Sequence, residues 1–174
     1  ALAARYGAVA TQDLGAVLGD GEIDAVIDCG PSGTRADLAV AALRAGKHVV
    51  LEKPMALTLS DADRIIAAER ESDRRVAVVS QHRFDPSAQR VSAAIRSGGL
   101  GAITSVIASC AWWRGQSYYD SAAWRGTWEL DGGGATMNQA IHVIDLMVFL
   151  LGRPTEVFAF TGLLAHQRIE VEDT

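Results

Sequence analysis

The chain has 174 residues, of which 49% are hydrophobic and 21% charged, and its net charge at pH 7 is −5. This composition predicts a globular protein with its own core and argues against a general binder of nucleic acids or anionic membranes. The longest strongly apolar run, residues 143–151, falls well short of the roughly 18 residues of a membrane span. Two cysteines, Cys29 and Cys110, are too few for a disulfide framework, which favours a reducing compartment and a cytoplasmic protein.

Short apolar runs alternate with helical patterns in the first half of the chain. Residues 2–7 are typical of the end of a helix stopped by Gly7. We predict strands at 24–29, 48–51 and 75–80, with a helix after the first strand that is capped by Thr34 and stopped by Gly46. A second helix, from Ser60 to about residue 72, begins at a variant of the capping box. Strands that alternate with helices indicate βαβ units and a parallel sheet, so the fold class is α/β.

The pattern changes in the second half, which predicts a domain boundary near residues 83–85. Pro86 opens a helix that continues to about Ser97, and a long strand is predicted at 102–113. An irregular stretch covers 114–134, an apolar helix covers 135–151, and a strand follows at 157–161. Residues 169–174 have the pattern of a strand cut off in mid-element, so we expect the sequence to be a piece of a longer protein.

Two predicted strand ends carry unusual residues. The first reads Cys-Gly-Pro-Ser at 29–32, and the second reads Glu52-Lys53-Pro54. Ligands bind at the carboxyl edge of open α/β sheets. A solvated charged pair is the alternative for Glu52 and Lys53, but Lys53 is one of only two lysines beside fourteen arginines. This bias favours a need for a compact ammonium at that position.

The apolar helix at 135–151 carries a polar stripe. Asn138, His142 and Asp145 are spaced at i, i+4 and i+7 and are predicted to share one face. Such a stripe must be paired or line a cavity. One interpretation is a core histidine satisfied by Asp145, and another is a site residue. A metal hydrolase built on His142 and Asp145 is weaker, because the other histidines show no evident convergence with it.

Aromatic residues concentrate at 112–128, which holds all four tryptophans and two of the three tyrosines. Arg114 and Arg125 are interleaved with them. Aromatic rings beside hydrogen-bond donors suit a polyhydroxylated ligand, whereas the alternative is a small aromatic core under a long loop. The predicted substrate-binding residues are Arg114, Tyr119, Trp124, Arg125 and Asp145.

The order of four motifs resembles the Gfo/Idh/MocA oxidoreductase family. These motifs are Pro-Ser-Gly-Thr-Arg at 31–35, Ala-Gly-Lys-His-Val at 45–49 followed by Glu-Lys-Pro at 52–54, Arg-Phe-Asp-Pro at 83–86, and Gly-Gly-Gly-Ala-Thr-Met-Asn-Gln-Ala-Ile-His at 132–142. Ser32 and Arg35 depart from the commonest form of the first motif. Asn138 stands where many members carry Asp.

The resemblance implies a partial Rossmann-type dinucleotide-binding domain at 1–84. It also implies a partial α+β domain with an antiparallel sheet at 85–174. It implies NAD or NADP as cofactor and a sugar, sugar nucleotide or polyol as substrate, in a protein that is a homo-oligomer at full length. The first βαβ unit with its glycine-rich fingerprint, and the last strands of the second sheet, would then lie outside this sequence. We therefore expect the 174 residues to be inactive alone. The implied cofactor-binding residues are Pro31, Ser32, Glu52, Lys53, Pro54, Gln81 and Arg83.

The chemistry of an alcohol dehydrogenation assigns the remaining roles. His142 is the candidate base for the hydroxyl proton, and Lys53 would hydrogen-bond the same oxygen and stabilise alkoxide charge. Asn138 would orient the substrate or the imidazole, and Glu52 would accept from ribose hydroxyls. We expect Lys53 and His142 to face one inter-domain cleft, with no metal involved. The alternative is a non-catalytic sensor of a dinucleotide or sugar on the same scaffold.

Overall fold

The structure is a computed structural model that describes residues 2–174, and it begins with two short helices. They are α1 (Leu2–Arg5) and α2 (Leu14–Gly19). Gly7 has a φ of 65° just after α1, which agrees with the predicted glycine stop. Asp13 caps α2, since its carboxylate accepts a hydrogen bond of 3.0 Å from the main-chain nitrogen of Ala16.

A three-stranded parallel sheet follows, as predicted. Its strands are β1 (Ala25–Asp28), β2 (His48–Leu51) and β3 (Val76–Val78), in the spatial order β1-β2-β3. Because all three strands run in the same direction, their carboxyl ends meet at one edge of the sheet. The segments ending near Pro31, Lys53 and Ser80 therefore share that edge, which confirms the sequence prediction.

The helices α3 (Arg35–Arg44) and α4 (Leu59–Glu71) connect these strands and cover the sheet. They bury a core that includes Leu43, Val49, Leu51 and Ile65, each no more than 1% exposed. Helix α4 begins earlier than predicted: Thr58, rather than Ser60, is its cap. The Thr58 hydroxyl accepts from the main-chain nitrogen of Asp61 at 3.0 Å.

Arg35 is buried at the start of α3 and ties together the loops that follow β1 and β2. Its guanidinium donates to the carbonyl of Gly30 at 2.9 Å, to the hydroxyl of Ser32 at 3.3 Å and to the carbonyl of Pro54. Its Nε lies 3.5 Å from a carboxylate oxygen of Asp28, which is equally buried. One side chain therefore holds both loops at the carboxyl edge of the sheet.

The regular elements of the second half are helices, separated by long irregular segments. It contains α5 (Pro86–Arg96), α6 (Gln116–Tyr119) and α7 (Ile141–Leu151). Single 3-10 turns cover Ser32–Thr34 and Gln81–Phe84. The helix predicted as one α-helix at 135–151 is in two parts, because a π-helical turn at Ala135–Ala140 precedes α7. Within residues 2–174, none of the helices has the length and apolar character that crossing a membrane requires.

The strands predicted at 102–113, 157–161 and 169–174 do not form in the described residues. The first two segments are extended and exposed; the side chains of Ile107 and Phe160 are 96% and 89% exposed. A strand needs a neighbour that pairs its main-chain groups, and nothing in residues 2–174 forms a ladder with these segments. The parallel sheet is thus confirmed, whereas the predicted antiparallel sheet is absent from the part of the chain described.

The last residues instead pack against the glycine-rich loop. Glu172 caps the start of the π turn: its carboxylate accepts from the main-chain nitrogens of Gly134 and Thr136, each at 3.0 Å. Its carbonyl accepts from Ala135 at 3.0 Å. A Cβ atom at position 134 would lie 1.6 Å from that carbonyl oxygen, so only glycine permits this close approach.

We expect Arg35→Met to destabilise the protein, because it leaves the buried Asp28 carboxylate without its counter-charge. Removing one partner of a buried ion pair costs about 3–5 kcal/mol, and chemical denaturation of the full-length protein measures the loss. Adding Asp28→Asn should recover part of it. Arg64→Met is the control: its guanidinium also joins two carboxylates, but at the surface. A loss no larger than that of the control would contradict the role given to Arg35.

Candidate active site

A cavity of about 300 Å³ lies at the carboxyl edge of the sheet, between the two halves of the chain. The first half contributes residues 29–32, Arg35 and residues 52–54, and the second half contributes Trp124, Arg125, Asp131, Met137 and Asn138. Five of the predicted cofactor-binding residues therefore border it, at 31, 32, 52, 53 and 54. Its volume lies at the lower end of the range for small-molecule sites.

Lys53 joins the two halves. Its ammonium donates to the carbonyl oxygen of Asn138 at 2.8 Å and to the side-chain oxygen of the same residue at 3.1 Å. Asn138 lies in the π turn directly before α7. A residue at the end of β2 is thereby fixed to the helix that carries His142.

Asp131 fixes the orientation of the Asn138 amide. The Asn138 side-chain nitrogen donates to one oxygen of Asp131 at 3.0 Å, and the other oxygen accepts from the main-chain nitrogen of Gly126 at 2.9 Å. An ammonium can only donate and a carboxylate can only accept, so the amide must turn its oxygen to Lys53 and its nitrogen to Asp131. Asn138 thus orients the ammonium, and its predicted role toward substrate or imidazole stays a prediction.

Burial is the main influence on Lys53, and it lowers the pKa of the ammonium below its ordinary value. The negative charges of Glu52 and Asp131 partly offset this effect, while Arg35 and Arg114 add to it. Asn138 accepts two hydrogen bonds from Lys53 but carries no charge. The site therefore holds the ammonium in place without the stabilisation that a third carboxylate would add.

His142 lies beside two aromatic rings at the start of α7. Its ring centroid is 5.0 Å from that of His82, at an angle of 85°, and 6.2 Å from that of Trp112. Burial lowers the pKa of His142, and the positive charges of Lys53 and His82 lower it further. Glu52 and Asp145 act in the opposite direction. The net effect favours the neutral imidazole, which is the form that accepts a proton.

Asp145 pairs with Arg83, not with His142. The Arg83 Nε donates to Asp145 at 2.8 Å, and a second guanidinium nitrogen donates to the other carboxylate oxygen. These bonds lower the pKa of Asp145 and raise that of Arg83. The interpretation of His142 as a core histidine satisfied by Asp145 is therefore wrong. The pair instead fastens the turn after β3 to α7.

The aromatic segment at 112–128 divides between the cavity and a separate core. Trp124 and Arg125 line the cavity. Tyr119 is 6% exposed and packs with Ile169 and Val171, and its ring lies 4.8 Å from that of His166. For Tyr119 the packing supports the small aromatic core, and its contact with substrate stays a prediction.

His166 and Asp173 complete that core. One ring nitrogen of His166 lies 2.9 Å from Asp173, and the other donates to the carbonyl of Arg114 at 2.6 Å. Burial would raise the pKa of Asp173, but main-chain donors and the His166 ring together hold it well below its usual range. This buried pair fixes residue 114, next to which the aromatic segment turns back toward the cavity.

Sequence reasoning missed Asp131 and the bridging role of Arg35. The available signals were an acidic residue directly before three glycines, and an arginine at the start of a helix that follows a strand-end loop. Gln81, by contrast, is exposed and does not line the cavity. No group of three or more His, Cys, Asp or Glu side chains that could hold a metal occurs in residues 2–174.

Family models match both halves of the chain. Residues 1–80 match an oxidoreductase family with an NAD-binding Rossmann fold, and residues 88–174 match the GFO/IDH/MocA C-terminal domain. The chain therefore belongs to the GFO/IDH/MocA oxidoreductase family, which confirms the resemblance seen in its motifs.

Several solved and curated relatives are named as dehydrogenases. The WlbA dehydrogenase from Bordetella pertussis, solved in complex with NADH and UDP-GlcNAcA, has a TM-score of 0.93 and 43% identity over 99% of this chain and 49% of its own. The levoglucosan dehydrogenase of Pseudarthrobacter phenanthrenivorans is 30% identical over 91% of this chain and 40% of its own. The myo-inositol 2-dehydrogenase of Thermotoga maritima is 29% identical over 86% and 43%, respectively. The chain thus spans about half the length, or less, of these relatives.

We expect Lys53→Met to raise the pKa of His142, because it removes one of the positive charges that lower it. The increase should be partial, since burial, the largest influence, remains. Titration of the histidine signals by NMR in the full-length protein measures the shift. Arg90→Met, which removes an exposed cation from α5, is the matched control and should leave the His142 titration in place. An unchanged His142 titration in Lys53→Met would show that the two groups are not coupled.

Proposed function

We propose that the full-length protein is an NAD(P)-dependent oxidoreductase that transfers hydride between a nicotinamide and a hydroxyl or keto carbon of a sugar, sugar nucleotide or polyol. The observation that carries this proposal is the Lys53 ammonium, held at the carboxyl edge of a parallel sheet by the π turn that leads into His142. The activities of the inositol and levoglucosan dehydrogenases, and the ligands of the WlbA dehydrogenase, support it.

The residues at the sheet edge fit the nicotinamide end of such a cofactor. The two strand-end loops supply the apolar rings of Pro31 and Pro54 and the carboxylate of Glu52, all bordering the cavity. Apolar rings can pack against the face of a planar base, and a carboxylate accepts hydrogen bonds from ribose hydroxyls. Ser32 and Lys53 are assigned to the binding of the same part of the cofactor. When bound, the cofactor would accept or donate the hydride. Gln81 and Arg83 remain predicted cofactor contacts at the end of β3.

The proposed roles of the side chains follow from their charges. His142, neutral because its pKa is lowered, takes the proton of the substrate hydroxyl during oxidation. The Lys53 ammonium donates a hydrogen bond to the same oxygen and stabilises its developing negative charge. Asn138 keeps that ammonium directed at the cleft. In reduction the same groups act in reverse.

The substrate side is proposed to be the aromatic segment. Trp124 lies in the cavity wall, Trp112 lies against His142, and Arg125 supplies donors. Rings of this kind cover the C–H faces of a sugar while polar groups bind its hydroxyls.

The wider organisation is also proposed. We place the domain division between residues 84 and 85, which the family models bracket by ending at 80 and beginning at 88. We propose that the exposed apolar segments at 102–113 and 157–161 are strands of an antiparallel sheet completed by residues outside this sequence. A homo-oligomer and a cytoplasmic location complete the proposal, the latter supported by two free cysteines.

We expect Lys53→Ala and His142→Ala, in the full-length enzyme, each to lower kcat by about 10²–10⁴-fold, because each removes a group that handles the reacting proton or charge. Steady-state kinetics with candidate sugars measures the loss, and NADH fluorescence titration should show nearly unchanged cofactor affinity in His142→Ala. Arg90→Ala is the surface control. Wild-type turnover in Lys53→Ala would remove Lys53 from the mechanism. Cofactor binding without turnover on any sugar or polyol in the wild type would favour the sensor alternative.

We expect Asp131→Asn to move the alkaline limb of the pH profile of kcat/KM to lower pH. Asp131 raises the pKa of Lys53, so removing its charge lets the ammonium lose its proton at a lower pH. Asn138→Asp should do the opposite, because it gives Lys53 a charged partner. Glu129→Gln, an exposed change two residues from Asp131, is the control. Limbs that stay in place in both site variants would exclude Lys53 as the group titrating there.

A further inference from the structure

Arg125 is held between two aromatic rings at the wall of the cavity. Its guanidinium carbon lies 4.2 Å from the ring centroid of Tyr118 and 4.4 Å from that of Trp124. Rings stacked on a guanidinium contact its faces and leave the N–H donors in the plane free. The side chain is thereby fixed without use of its hydrogen-bonding groups.

Those donors have no protein partner in residues 2–174. The Arg125 Nε is buried without a hydrogen bond, and the guanidinium forms no ion pair with a carboxylate of the described chain. A buried N–H that has lost water and gained no acceptor is costly. A ligand oxygen in the adjoining cavity would supply the missing acceptor.

The carboxylates that border the same cavity are engaged by other donors. Asp131 accepts from Asn138 and Gly126, and Glu52 accepts from the main-chain nitrogen of Lys53. Neither is therefore placed as the partner of Arg125. Arg114 is a second arginine without a carboxylate partner in residues 2–174. Its guanidinium carbon lies 5.2 Å from the centroid of the same Tyr118 ring. Arg114 and Arg125 thus both lie against the Tyr118 ring, and neither forms an ion pair with a carboxylate in residues 2–174.

We propose that Arg125 binds an oxyanion of the substrate, so that the protein acts on an anionic sugar derivative in preference to an uncharged sugar. The planar guanidinium fork matches two oxygens of a carboxylate or phosphate, which no hydroxyl can do. The oxyanion is a carboxylate on the sugar or the diphosphate of a sugar nucleotide. This inference rests on the proposed function and narrows its substrate class.

Binding of four ligands to the full-length protein tests the proposal and separates the two sources. The ligands are UDP-GlcNAcA, its neutral-sugar counterpart UDP-GlcNAc, and the corresponding free acidic and neutral sugars, titrated calorimetrically in the presence of NADH. We expect Arg125→Gln to weaken binding of the ligands that carry the recognised oxyanion by about 10- to 100-fold, since each charge-assisted hydrogen bond contributes strongly. Binding of the free neutral sugar should be unchanged.

The set of ligands that bind more weakly to Arg125→Gln identifies the oxyanion that Arg125 contacts. A loss confined to the two acidic sugars assigns the carboxylate, and a loss confined to the two UDP ligands assigns the diphosphate. Arg125→Lys keeps the charge but not the fork, and should recover only part of the affinity. Arg90→Gln is the matched control, and unchanged NADH affinity and thermal stability show that Arg125→Gln remains folded.

Equal weakening of the anionic ligands and of the free neutral sugar, or no weakening of any ligand, would overturn the proposal. Absence of binding by both UDP-GlcNAcA and the free acidic sugar in the wild type would also overturn it. Hydride transfer is recorded separately. Arg125-dependent binding without turnover would refute the enzyme and leave this subsite, whereas turnover of neutral sugars that is insensitive to Arg125 would refute the subsite and leave the enzyme.

Discussion

The buried guanidinium of Arg35 is the constraint on which the rest of the site depends. It donates to main-chain oxygens in the loops after β1 and β2 and faces the buried Asp28 carboxylate. Parallel strands alone bring loop ends to one edge of a sheet, but they do not set the distance between loops. Arg35 does, and Lys53 directly precedes one of its acceptors, Pro54. The position of the Lys53 main chain is therefore set within the first half of the chain, and Asn138 of the second half then directs the ammonium.

In the second half of the chain, the residue that accepts from the Lys53 ammonium is neutral, and the nearest negative charge lies beyond it. Asn138 contacts Lys53, and Asp131 contacts Asn138. A carboxylate at 138 would stabilise the ammonium strongly and would lie against Asp131. The amide avoids both consequences, since it directs Lys53 while burial keeps the pKa of Lys53 lowered. A neutral residue at position 138 is thus compatible with the acidic residue seven positions before it.

Local sequence patterns predicted the parallel sheet, its helices and the residues at its edge, because strand–helix alternation and glycine stops are properties of neighbouring residues. The hydrogen-bond partners of the site residues were harder to predict from the sequence. The spacing of His142 and Asp145 gave their common helix correctly, but Asp145 pairs with Arg83, 62 residues away. The π turn was missed because a pattern of polar positions does not distinguish five-residue from four-residue hydrogen bonding. The predicted strands at 102–113 and 157–161 have strand composition without a pairing neighbour in the described chain.

The contact between Gly134 and Glu172 helps to set the position of the site residues, although it lies outside the cavity. The helix bearing Asn138 and His142 begins where the main chain of residue 172 lies against position 134, with no space for a side chain between them. A methyl group added there could be accommodated only by displacing one segment from the other. The position of the π turn and α7 is accordingly set by a backbone-to-backbone contact, so substitutions at 134 and in the chain around 172 are coupled even though neither position lines the cavity.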